Sequence, residues 1–195
     1  QTCALPICKG DPNTWVFLGS DTIYGGEGDI SAKSATEVFD EVVSWECNGN
    51  SCDNNPSGLQ LAARSRFVVN SSYPGQTTAK MLAAYDSQVK RHKPQVLYLM
   101  PDALNPAGQP YETLDSFKSN IKQLVAQAKA DGIRVVLVTP AEASAEADEY
   151  AEAMLQLAAD EEVPAIDAHQ YFQKLQAKNP NYGDIVDSRD RKSVV

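Results

Sequence analysis

Apolar positions along the chain fall into two alternating spacings. Short unbroken runs come at Trp15-Val-Phe-Leu18, Phe67-Val-Val69, Val96-Leu-Tyr-Leu-Met100, Ile133-Arg-Val-Val-Leu-Val138 and Val163-Pro-Ala-Ile166. Each is bounded by glycine, proline or polar residues, the pattern of a strand buried on both faces. Between them the apolar residues recur at helical spacing. Ser34–Glu46 carries Ala35, Val38, Phe39, Val42, Val43 and Trp45, and Leu59–Arg66 reads as a short helix. Thr77–His92 reads as one helix with Met81, Leu82, Tyr85 and Val89 on one side. Leu114–Ala130 turns Phe117, Ile121, Leu124, Val125 and Ala128 inward and is stopped by Gly132. Ala143–Glu161 is an acidic helix predicted to face inward with Met154, Leu155 and Ala158, and Ala168–Ala177 is a last helix. Residues 48–58 and Asn105–Tyr111, rich in glycine, asparagine and proline, read as loops.

Strands alternating with helices predict a parallel sheet with crossover helices. The expected fold is α/β: a three-layer α/β/α sandwich around a five-stranded, mostly parallel, flavodoxin-like sheet. In such sheets functional groups sit on loops at the carboxyl ends of the strands. Three loops therefore matter most: Gly19–Gly28, Asn70–Thr77 and Pro101–Gly108.

Composition narrows the function classes. The 195 residues suit one domain, and 43% hydrophobic content is ordinary for a globular chain. A net charge of -9 disfavours nucleic acid and anionic membrane surfaces, which need a basic face. No apolar run approaches the ~20 residues of a membrane span. The four cysteines form two short-range pairs, Cys3 with Cys8 and Cys47 with Cys52, neither spaced as C-x-x-C. Cys47-Asn-Gly-Asn-Ser-Cys52 reads as a loop disulfide of a secreted or periplasmic protein, with free thiols in a cytosolic loop as the other reading. No histidine lies near either pair in sequence, so no metal and no cofactor are expected. Gly25-Gly-Glu-Gly28 lacks the Lys-Ser/Thr of a phosphate loop.

The two ends are unusual. Gln1-Thr-Cys-Ala-Leu-Pro-Ile7 and Asp190-Arg-Lys-Ser-Val-Val195 can both be reverse-translated as DNA resembling common sequencing adapters. Residues 1–8 are accordingly read as a non-native or disordered segment, 9–189 as the domain, and 190–195 as a non-native tail, the alternative being a natural secreted N-terminus and a short polar tail.

Four segments carry the chemistry. Gly19-Ser-Asp-Thr-Ile-Tyr-Gly25 follows the first strand, and Asn70-Ser-Ser-Tyr-Pro-Gly-Gln-Thr-Thr78 follows the second. Lys93–Asp102 contains the third strand and Gly132–Pro140 the fourth. In this order and spacing the chain resembles the SGNH (GDSL-like) hydrolase family. The resemblance implies ester hydrolysis by a serine after the first strand, assisted by a C-terminal histidine and an aspartate three residues before it. It also implies an oxyanion hole built from the serine N–H, a glycine N–H after the second strand and an asparagine after the third, such donors being worth ~3–4 kcal/mol each.

By this resemblance Ser20 and Asp21 are the catalytic candidates, and Gly75 and Asn105 the oxyanion or substrate-binding candidates. Each departs from the pattern or has a plainer role. Where the family reads Gly-Asp-Ser, this chain reads Gly19-Ser20-Asp21. Counting from Gly19 and Gly25 puts Asp21 at the nucleophile position and Ser20 at the aspartate position. Either residue could instead cap the segment that follows. Gly75, after Pro74, is also an ordinary turn glycine. Pro101 stands where the family's asparagine belongs, and proline offers no donor. Asn105 lies close by in sequence and could substitute, or serve as a loop asparagine before Pro106. Asp184-Ile-Val-Asp187 has an aspartate where Asp-x-x-His has its histidine; the other reading is that the true block lies past Arg189. His92 and His169 read as surface or structural residues.

The expected function is an SGNH-like esterase with degraded motifs, acting on acyl or acetyl esters of carbohydrate or lipid. The alternative is an inactive domain of the same fold that binds carbohydrate or a protein partner. A flavodoxin-like small-molecule binder shares the layering and is a third reading.

Overall fold

The computed structural model describes residues 13–20, 36–40, 66–142 and 144–178. Five strands form one parallel sheet: β1 Asn13–Gly19, β2 Arg66–Asn70, β3 Val96–Met100, β4 Arg134–Val138 and β5 Ala165–Ile166. Their order is β2-β1-β3-β4-β5 and every pairing is parallel. All five carboxyl ends therefore share one edge.

The apolar runs became strands because both faces of the sheet are covered. On one face Val16, Leu18, Leu97, Leu99, Val135 and Leu137 pack beneath helices α1 Thr78–Ala83, α2 Tyr85–Gln88, α3 Leu114–Ala130 and α4 Ala145–Asp160. Phe117, Ile121, Leu124, Val125 and Ala128 of α3 are all buried, as their spacing predicts. On the other face Trp15, Phe17, Met100 and Val138 form a second cluster with Phe39, from the helical residues 36–40, and Ala168, from α5 Ala168–Lys178. Phe17 and Tyr98 stack there at 4.6 Å, with Phe39 edge-on to both. Burial of each large side chain contributes ~1.5–3 kcal/mol. The expected α/β/α sandwich is the architecture observed.

Three local expectations are corrected. Residues 77–92 are not one helix: the chain breaks at Ala84 and Val89 and ends in a 3-10 turn, Lys90–His92. The Ser87 hydroxyl donates to the Ala84 carbonyl, which also accepts the N–H groups of Ser87 and Gln88. Such back-bonding bends helices. Lys93 then takes a left-handed conformation, φ 48°, and Pro94 forbids continuation. In α4, Leu155 is 36% exposed, while Ala147, Tyr150, Ala151, Met154, Leu157 and Ala158 are buried. Those six hold the three-and-four spacing, and Leu155 falls off that stripe. Arg66, assigned to a helix by its neighbours, begins β2; residues 59–65 lie outside the described ones.

Candidate active site

The carboxyl edge of the sheet gathers four loop segments. Ser20 leaves β1 and is fully buried. The register pairs Gly19 with Met100, so Ser20 and Pro101 continue side by side out of neighbouring strands. The segment after β2 folds back over β1. The Ser71 N–H donates to the Phe17 carbonyl at 2.9 Å, and Tyr73–Gln76 then forms a turn closed by the Gln76 N–H on the Tyr73 carbonyl at 3.2 Å. Pro74 and Gly75 occupy its corner, with Gly75 at φ 65°. That is the type II arrangement, in which the second corner residue must take positive φ. The Gln76 N–H also reaches Ser20 Oγ at 3.1 Å. The Gln76 side chain turns away to donate to Gln88 Oε1 at 2.6 Å. A backbone donor of the glycine turn thus converges on the serine hydroxyl.

Two glutamates hold the surrounding loops. Glu112 Oε1 accepts both the N–H and the hydroxyl of Thr78, each at 2.7 Å, while its Oε2 accepts from Asn120 Nδ2 at 3.1 Å. Its backbone carbonyl accepts the Tyr150 hydroxyl at 2.6 Å. The carboxylate thereby caps α1 from outside and fixes the exit of the glycine turn. Glu142 lies beyond β4. Its Oε1 accepts the N–H groups of Ala103 and Leu104, both at 3.0 Å, across the loop after β3. Burial raises the Glu142 carboxyl above the ordinary carboxylate range, and hydrogen bonds from the backbone N–H groups of Leu104, Glu142 itself and Ala103 oppose that shift.

Glu112→Ala removes three bonds from one buried corner and leaves the Thr78 donors buried. It is expected to lower stability by about 2–3 kcal/mol, seen as a lower urea midpoint with an unchanged m-value.

The positions singled out from sequence divide as follows. Ser20 and the Gly75 turn are brought together. Asn105 is occupied by its own loop: its Oδ1 accepts the N–H groups of Ala107 at 2.9 Å and Gln109 at 3.1 Å. Asp21, Asp184, Asp187 and all four cysteines lie outside the described residues. His92 precedes β3 at the amino edge of the sheet, about 16 Å from the Ser20 edge by strand rise. There its Nε2 accepts from Arg91 Nε at 3.2 Å. His169 opens α5 beyond β5, three strand positions from β1 and about 14 Å away by strand spacing. It is buried, its Nδ1–H donating to the Glu142 carbonyl at 2.6 Å and its Nε2 lying 2.7 Å from Asp148 Oδ1. Neither histidine hydrogen-bonds Ser20. Among the described residues no cluster of three or more His, Cys, Asp or Glu could hold a metal, and no helix is long and apolar enough to cross a membrane.

Sequence reasoning passed over Glu112, Glu142 and Gln76. For Glu142 a signal existed. It lies two residues past Pro140, and the loop leaving β4 belongs to the same functional edge as the three loops singled out.

Solved structures share this fold. A catalytic mutant of an acetylxylan esterase from Geobacillus stearothermophilus superposes with a TM-score of 0.62 at 19% identity, covering 86% of this chain and 81% of that one. A lipase/acylhydrolase from Enterococcus faecalis gives 0.59 at 18% identity over 88% and 82%. An acetyl xylan esterase, AlAXEase, gives 0.64 at 14% identity over 93% and 100%. At these identities the likeness is one of fold. A sequence search of curated proteins finds no match. The model of the GDSL-like lipase/acylhydrolase family matches residues 34–185, well over half of the chain. That match begins after the Ser20 segment and runs through the Gly75 turn and both glutamate-held loops. On this match and the shared fold, the chain belongs to the GDSL-like lipase/acylhydrolase family.

Proposed function

We propose that this chain is a weak ester hydrolase that removes acyl or acetyl groups from carbohydrate or lipid, with Ser20 as the attacking residue. One observation carries the reading: Ser20 Oγ receives the N–H beside Gly75 at 3.1 Å. A hydroxyl at the carboxyl end of β1 and a fixed backbone donor are the first two parts an acyl-transfer site needs. As the oxygen attacks, the same N–H is within reach of the developing oxyanion. Family membership and the acetyl-ester activities named for the neighbouring structures support the substrate class. Weakness follows from Pro101, which offers no side-chain donor, and from Asp187 in place of a histidine.

A second reading is favoured by the complete burial of Ser20. In it the serine is a structural acceptor, and the edge binds carbohydrate or a partner protein without turnover. Release of p-nitrophenol from the acetate ester, and of acetate from acetylated xylooligosaccharide, separates the two. Turnover above the buffer rate supports hydrolysis. Binding of the oligosaccharide in calorimetry with no product released supports the alternative. A secreted or periplasmic site of action is part of the proposal and rests on the Cys47–Cys52 pair.

A further inference from the structure

Glu142 makes more of the edge than its position in a surface loop suggests. Its Oε1 collects two consecutive backbone N–H groups, Ala103 and Leu104, from the loop that follows β3. Its Oε2 is buried without a hydrogen-bond partner among the described residues. Its own carbonyl accepts the buried His169 Nδ1–H at 2.6 Å, and the His169 N–H donates to Thr139 Oγ1 at 2.9 Å. One residue therefore ties the exit of β3 to the exit of β4 and the start of α5. Burying a carboxylate is costly, and charge-assisted bonds to it are correspondingly strong. A residue needed only for packing would not require that charge. The loop it grips starts at Pro101, beside Ser20 in register.

We infer that Glu142 is a positioning residue that sets the conformation of the loop 101–105 against Ser20. The inference rests on the proposed hydrolase reading for its catalytic consequence, but not for the loop itself. Within that loop the N–H groups of Ala103 and Leu104 are the backbone donors that Glu142 anchors. Glu142 provides that anchoring from beyond the end of the adjacent strand, β4.

The test uses the full chain with Glu142→Ala and Glu142→Gln, and Glu112→Gln as a control on a different loop. Backbone amide spectra are read at Ala103, Leu104 and Thr78. Loss of the carboxylate is expected to shift the Ala103 and Leu104 amide protons upfield and leave Thr78 in place. Glu112→Gln is expected to do the reverse. Hydrolysis of p-nitrophenyl acetate is expected to lose about 10–100-fold in kcat in Glu142→Ala with KM nearly unchanged, as misplacement of a site loop does. Glu142→Gln, which keeps an acceptor oxygen, is expected to recover part of that loss. If Glu142→Ala does not fold, Glu142→Gln carries the amide comparison. Unmoved Ala103 and Leu104 amides overturn the inference, as does a loss confined to KM. A chain without esterase activity sinks the hydrolase reading alone, because the amide shifts still decide whether Glu142 holds the loop.

Discussion

Asp187→His is expected to raise kcat/KM for a short-chain ester by about 100-fold or more. The serine hydroxyl must lose its proton as it attacks. A positioned general base contributes ~10²–10⁴-fold to such a step when its pKa lies near the working pH. An aspartate, with a reference pKa of ~3.9, is a poor acceptor for a hydroxyl proton at neutral pH. A histidine at 187 would restore Asp-x-x-His, with Asp184 three residues earlier to orient the ring. The gain should carry its own signature. Because the neutral imidazole is the base, the added rate should appear as pH rises through ~6.5 and vanish below it. A pH–rate profile of Asp187→His against the parent chain measures both. A flat profile with no gain would mean that the Asp184 segment does not reach Ser20.

Pro101→Asn is the second large gain expected, about 100-fold in kcat at nearly constant KM. Removing one oxyanion donor from comparable sites costs ~10²–10³ in kcat, and this chain lacks that side chain. The register places residue 101 next to Ser20, at the end of the strand that pairs with β1. An asparagine amide there can point at the oxygen that becomes negative, and proline cannot. The substitution gives up the conformational restriction of proline, about 0.4–1 kcal/mol of stability. The melting temperature should therefore fall slightly while activity rises, an opposition that a merely structural effect would not produce. Steady-state kinetics and a thermal melt on the same preparation decide it.

Much of this architecture was legible in the residues because period and burial agree. Val96–Met100 and Leu114–Ala130 were bounded by Pro94, Gly132 and an inward stripe, and the structure keeps those limits. The break at Ala84 was not legible. It is a change of backbone angles at Ala84, φ -97° and ψ 6°, which leaves no mark on apolar spacing. Leu155 misled because composition suggests an apolar residue faces inward, whereas six better-placed positions fill that side of α4.

The site was less legible than the fold, for a physical reason. Motif reading proposes candidates for contact with a substrate: Ser20, Gly75, and the proline in place of an asparagine. It does not find residues that act on backbone N–H groups from another loop, because any glutamate could do so. Glu112 and Glu142 reach loops 34 and 39 residues away in sequence. Asn105 shows the converse. Its residue type suggested a donor, but its side-chain oxygen is engaged by its own turn.

The central claim is that Ser20 and the Gly75 turn make an acyl-transfer site at the carboxyl edge of the sheet. The most direct measurement compares hydrolysis of p-nitrophenyl acetate by the parent chain and by Ser20→Ala, with circular dichroism confirming that both fold. Turnover by the parent, reduced about 100-fold or more in Ser20→Ala, is the predicted result. Equal rates from the two proteins, or a parent rate no higher than buffer, would contradict it and leave Ser20 as a buried acceptor for the Gln76 N–H.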